Sequence, residues 1–280
     1  MVPHDADLAP RWNSLKPPEK AREAKRMEVY AAMVDQMDHA VGRVIQSLKD
    51  SGEYEDTIVL FLADNGAEGS NLDEPSMGML NAVHARADNG LENIGRATSY
   101  EAVGPGWATA ATAPAWRVKA YTTEGGTRAV SFLSGPGIRQ GIADTYTHVA
   151  DVVPTFLDLA HLPAPSATFQ GRAVSPVRGK SWGPWLRGKA VQVYGSADSV
   201  GEELFGGRAL RRGEWKITDV GDRTWRLFHV TQDPGETLDQ STGHAAEKAQ
   251  LVAAWDEYAR QVGVILPEPS QAIVERPTRR

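Results

Sequence analysis

Thr57-Ile58-Val59-Leu60-Phe61-Leu62-Ala63 constrains the fold of this chain more than any other stretch. It is apolar and partly β-branched, and no polar residue alternates with its apolar ones. A half-buried strand of an antiparallel sheet alternates with period two, whereas a strand covered on both faces does not. The run therefore predicts a buried strand of a mainly parallel sheet. A second such run, Ala129 to Leu133, follows a long Gly-, Ala- and Thr-rich region that reads as a functional loop.

The flanking segments fit that layout. After a polar, Pro-rich lead-in that ends at Pro17 and Pro18, apolar residues recur at Met27, Tyr30, Met33, Val34, Met37, Val41, Val44, Ile45 and Leu48. Spacings of three and four give one stripe over about six helical turns, and Ser51-Gly52 supplies the stop. Such a stripe predicts a helix that covers a core. Val149 to Leu159 reads as a second, short helix, ended by Pro163. Helix, strand, loop, strand, helix is an α/β order.

The character changes near residue 190. Val191 to Tyr194, Arg208 to Val220 and Trp225 to Val230 are short, partly alternating runs, with a hairpin tip at Arg212-Gly213-Glu214. A final helix is expected from His244 to Gln261, with Leu251, Val252, Trp255, Tyr258 and Val262 on one face, ahead of a loose tail from Pro267. The expected organisation is an α/β part over residues 1–190. A small α+β subdomain over 191–280 pairs an antiparallel sheet with one helix.

Composition removes several function classes. The formal net charge is -6 and no basic stripe is present, so nucleic acid is not an expected partner. No apolar run approaches the roughly 20 residues of a membrane span. Met1 to Pro10 lack the apolar core of a signal peptide; a soluble protein is expected, with its compartment, cytoplasmic or periplasmic, left open. Cysteine is absent, which removes disulfides, thiolate metal sites and a cysteine nucleophile from these residues. No Gly-x-Ser-x-Gly elbow, Walker loop or His-Glu-x-x-His is found.

Three segments could carry chemistry. Asp64-Asn65-Gly66 follows the first strand, at the carboxyl end where open α/β sheets collect ligands, and offers hard oxygen donors. The same triplet type makes tight turns, and Asp88-Asn89-Gly90 repeats it nearby. Lys119, just before the second strand, could present an ammonium to an anion or lie on the surface. Gly125-Gly126 permits close backbone approach or a turn. His148, His161, Trp182 and Trp185 read as structural.

In this order the segments resemble the C-terminal half of a sulfatase of the alkaline-phosphatase-like superfamily, in particular the bacterial arylsulfatases. The matching stretches are Met27 to Val34, Asp64 to Gly69, Leu91 to Arg96, Lys119 to Gly126, Asp151 to Ala160 and Asp233-Pro234-Gly235-Glu236. The resemblance implies a partial alkaline-phosphatase-like sheet with flanking helices. It implies hydrolysis of a sulfate ester, a small-molecule substrate. Asp64 and Asn65 become ligands of a divalent cation, Ca²⁺ or else Mg²⁺, and Lys119 becomes the catalytic contact to the sulfate. The family's nucleophile is a formylglycine made from Cys or Ser in a Cys/Ser-x-Pro/Ala-x-Arg motif, and this sequence departs from the family by lacking that motif. Ca²⁺ takes about 6–8 oxygen ligands, so two residues form only part of a site. The chain is therefore expected to be inactive alone, and poorly folded, self-associated or completed by a missing N-terminal segment. Two other readings are a non-catalytic remnant and a phosphoester or phosphonate-ester hydrolase of the same superfamily.

Overall fold

The computed structural model describes residues 8–74, 77–165 and 167–267. Helix α1 runs from Pro17 to Asp50 and strand β1 from Val59 to Leu62. Three short helices follow: α2 (Met79–His84), α3 (Pro105–Thr112) and α4 (Glu124–Thr127). Then come β2 (Ser131–Ser134), α5 (Val152–Leu159), a two-residue hairpin of β3 (Thr168–Phe169) and β4 (Arg172–Ala173), and α6 (Gly183–Leu186). Four strands, β5 (Ser199–Leu204), β6 (Gly207–Arg212), β7 (Trp215–Asp219) and β8 (Arg226–His229), precede α7 (Ala245–Val262). Most of the expected elements are present, in a mixed α/β fold with a C-terminal antiparallel sheet and helix. Among the described residues no helix is long and apolar enough to cross a membrane.

Helix α1 begins where Pro17 cannot donate a backbone hydrogen bond, and the Lys16 N–H is satisfied by Glu19 Oε2 at 2.6 Å. It ends at Gly52, whose φ of 77° takes the chain out of the helix. Its apolar stripe does not cover a core. No residue of α1 is buried, and Met33 and Val44 are 65% and 62% exposed. Its first turns are tied down by Arg22 and Arg26 to the buried Glu101 and by Trp107 Nε1 donating to Glu23 O at 2.8 Å, and Val29 lies against Gly95.

The first sheet corrects a second expectation. β1 pairs with β2, and antiparallel, with Phe61 opposite Phe132. Their rings stack at 5.0 Å between centroids. The strand is half-buried rather than enclosed, and Phe132 remains 53% exposed. Its uninterrupted apolar character suits two covered faces, yet the described residues provide one hydrogen-bonded neighbour and little cover.

The best-packed core lies in the C-terminal part. β5-β6-β7-β8 form one antiparallel sheet in chain order, joined at Gly213-Glu214 as the hairpin signal predicts. Leu210, Ile217 and Leu227 meet Leu251 and Trp255 of α7, all within 3% of complete burial. Arg208 lays its guanidinium over Trp225 and Trp255, a cation–π contact closing the edge of the core. Val191 to Tyr194 is not a strand. Val193 N–H instead donates to Thr145 Oγ1 at 2.9 Å. One edge strand is β5, whose Ser-Val-Gly-Glu-Glu-Leu sequence carries little apolar signal. It pairs because the Tyr258 ring lies against Gly201, where a Cβ would fall 2.3 Å from the ring.

Candidate active site

The residues singled out as chemical converge at the end of β1. Ala63 N–H donates to Val130 O at 2.9 Å, and the chain then bends through Asp64-Asn65-Gly66. Gly66 N–H donates to Gly126 O at 2.8 Å, and Lys119 N–H to Ala67 O at 3.0 Å. Two backbone bonds thus hold the Asp64 turn against the Lys119 loop. The glycines are required for space. A Cβ on Gly66 would lie 1.8 Å from Gly125 O, and one on Gly126 would lie 2.0 Å from Tyr121 O. Close approach, one of the two readings left open, is the operative one here.

Side chains at this loop end are linked by charge. Lys119 Nζ lies 3.0 Å from Glu68 Oε2. The hydrogen bond and charge of Glu68, with the charge of Asp64 in addition, raise the Lys119 ammonium above its ordinary range. Burial works against the Glu68 carboxylate, but hydrogen bonds from Ser70 and Lys119 hold it below its usual range. Lys119 is therefore a permanent cation aimed at an acidic turn. Both partners are nearly half exposed, so the pair adds little to stability. Glu68 was not among the residues picked out for chemistry, although it lies inside the Asp64 to Gly69 stretch.

The two Asp-Asn-Gly triplets differ in what their side chains do. Asp88 Oδ1 accepts from Gly90 N–H at 3.2 Å. Asn89 donates to His84 O and accepts from Tyr100 N–H, both at 2.9 Å. That triplet is consumed in shaping its own loop. Neither the Asp64 carboxylate nor the Asn65 carboxamide has a hydrogen-bond partner among the described residues. Their oxygens match a hard divalent cation in kind and fall short in number. Among the described residues no three His, Cys, Asp or Glu side chains gather as a metal cage.

Several buried polar residues were not anticipated. Lys216, on β7, places Nζ 3.0 Å from Glu124 Oε1 and 3.3 Å from Glu236 Oε1. Glu236 Oε2 accepts the Glu124 N–H at 2.8 Å, joining α4 to the loop after β8. Asp151 is fully buried and gathers donors from four points of the chain. Glu124, Asp151 and Glu236 all sit inside stretches that carried the resemblance, but most of their partners lie far away in sequence. His148 keeps a structural role. Its Nδ1 accepts from Ala150 N–H at 3.2 Å, and burial pushes its pKa down despite Asp151. Trp182 is packed, as expected.

The loop end thus brings two oxygen-bearing side chains, without hydrogen-bond partners among the described residues, close to an ammonium paired with Glu68. The sulfatase family model matches residues 1–162, and the chain belongs to the sulfatase family. An uncharacterised sulfatase of Schizosaccharomyces pombe is 40% identical over 271 residues, which are 94% of this chain and 49% of that protein. An arylsulfatase of Klebsiella aerogenes is 35% identical over 64% of this chain and 39% of its own length. The solved structure of Ps i-CgsB in complex with k-i-k-neocarrahexaose shares the fold, with a TM-score of 0.55 at 20% identity. That alignment covers 91% of this chain and 46% of the other. The chain spans about half the length, or less, of these relatives.

Proposed function

We propose that this chain supplies the metal- and sulfate-facing side of a sulfuric ester hydrolase of the arylsulfatase type. Asp64 and Asn65 are the metal ligands, for Ca²⁺ in first place and Mg²⁺ in second. Lys119 is the catalytic residue that meets the sulfate. The observation that carries this reading is the turn itself: two oxygen-bearing side chains without hydrogen-bond partners, held by backbone bonds against the loop of a permanently charged lysine.

When bound, a divalent cation polarises the ester's sulfuryl oxygens. The chain's own residues do the rest of the work assigned to them. Lys119 stays protonated across the neutral range and offers a fixed positive charge to the sulfate oxygens. Glu68 holds that ammonium near the turn and gives way to the anion when substrate arrives. The nucleophile, the family's formylglycine, belongs in this proposal to a segment other than these 280 residues. The exposed stripe of α1 and the open β1-β2 sheet are where such a segment would pack, an arrangement that would enclose β1. Residues 1–190 and 191–280 remain our proposed division of the chain.

In the complete enzyme, Asp64→Ala is expected to lose Ca²⁺ and turnover together. Lys119→Ala should keep the metal and slow aryl sulfate hydrolysis by about 10²–10³, the effect of removing one charge-stabilising donor. Calorimetric Ca²⁺ titration and a chromogenic aryl sulfate separate the two, and full activity in either variant rejects its assigned role. The 280-residue chain alone should turn over no aryl sulfate. Clear turnover would place a nucleophile inside it.

A further inference from the structure

Among the described residues the side chains of the buried Lys216, Glu124 and Glu236 make no hydrogen bond or ion pair with the Asp64 turn, yet only a short series of bonds separates them. Lys216 is 2% exposed and stands between the two carboxylates on β7. Glu236 binds the Glu124 backbone through Oε2, and its Oε1 also accepts from Thr218 Oγ1 at 3.1 Å. Glu124 is the first residue of α4, and Gly126, within the same turn, gives its carbonyl to Gly66. The position of α4 thus sets the position of the Asp64 turn.

Charge burial of this kind is a poor way to gain stability, because desolvation offsets most of the attraction. Apolar side chains of similar volume would often hold β7 against α4 as well. What they would not supply is direction. An ammonium with two carboxylate partners, one of them bonded to a specific backbone N–H, permits one placement of α4 along the sheet. The remaining negative charge is balanced in part by Arg211, which helps to hold Glu124 ionised against burial.

We propose that Lys216 is a positioning residue for the Asp64-Asn65 and Lys119 loop end, acting at a distance through Glu124 and Glu236. The inference takes its functional meaning from the site proposed above, while its physical content is independent of that reading.

The test is hydrogen–deuterium exchange of the 280-residue chain, read peptide by peptide. In Lys216→Met, which keeps the stem and removes the charge, residues 63–69 and 116–128 should exchange about tenfold faster or more. Peptides from β6 and α7 should keep their protection. Glu124→Gln, which leaves Lys216 in place, should produce the same regional pattern and serves if Lys216→Met does not fold. Uniform loosening of the C-terminal sheet with no excess at 63–69, or unchanged exchange throughout in Glu124→Gln, overturns the proposal. Failure of the metal assay on Asp64→Ala would sink the functional reading and leave this exchange pattern as it is.

Discussion

Asp151→Ala is expected to destabilise the chain by about 3–5 kcal/mol, enough to leave a marginal domain largely unfolded. Asp151 has no exposed surface. Its Oδ2 accepts from His148 N–H at 2.7 Å and Trp182 Nε1 at 3.2 Å. Its Oδ1 accepts from Lys180 N–H at 2.8 Å and from the Tyr194 hydroxyl. Burial and the bond to Asp151 both push the Tyr194 phenol upward, so it stays a donor. Alanine would take the acceptor from all four donors, of which the Trp182 indole is buried and the others part-buried, and an unsatisfied buried group costs about 1–3 kcal/mol. Asp151→Asn keeps one acceptor oxygen and should lose less. Urea unfolding followed by tryptophan fluorescence measures both, and a loss below about 1 kcal/mol for alanine would show that the donors find other partners.

The second large effect is on the dependence of stability on pH. Glu202 is half-buried as a residue, but its Oε2 is sealed from solvent without a hydrogen-bond partner. Its carboxyl is pushed up to about 7, first by burial and then by the nearby Glu124 and Glu236, against the pull of Lys216 and Arg211. The folded state therefore holds a proton that the unfolded state has already released above pH 4.5, the group's ordinary value. Where the folded state binds more protons, stability falls as pH rises. The loss begins near pH 4.5 and is complete above about 7, totalling about 3 kcal/mol for this group. Glu202→Gln, an uncharged mimic, should flatten that part of the curve. Its melting temperature should exceed that of the unmodified chain by about 5–10 °C at pH 8 and match it near pH 4. Parallel curves for the two proteins across pH 4 to 8 would mean that Glu202 is ionised in the fold.

Much of this molecule could be read along the chain. Helix α1 was legible from its period and its proline start, α7 from the spacing of Leu251 and Trp255, and the β6-β7 hairpin from Gly213-Glu214. Those signals are local, because a helix face or a tight turn is specified within a few residues. The edge strand β5 was not legible. It is polar, and it is recruited by a tyrosine from α7 that lies on a glycine. The strand expected at Val191 to Tyr194 failed for the opposite reason, since an apolar alternation could not show that the Val193 N–H and the Tyr194 hydroxyl would be claimed by Thr145 and Asp151.

Local order along the chain specifies an acid-amide turn after an apolar strand, a lysine and a glycine pair before a second one, and the lack of any cysteine among these residues. Three-dimensional packing settles that these two loops touch, that the glycines are there for close approach, and that the second Asp-Asn-Gly triplet is spent on its own loop. The folded chain also buries Glu124 and Glu236 beside a lysine from β7. The physical reason is separation. A hydrogen bond or ion pair acts over a few ångströms in space, and nothing in local spacing records which distant residue will stand at its other end.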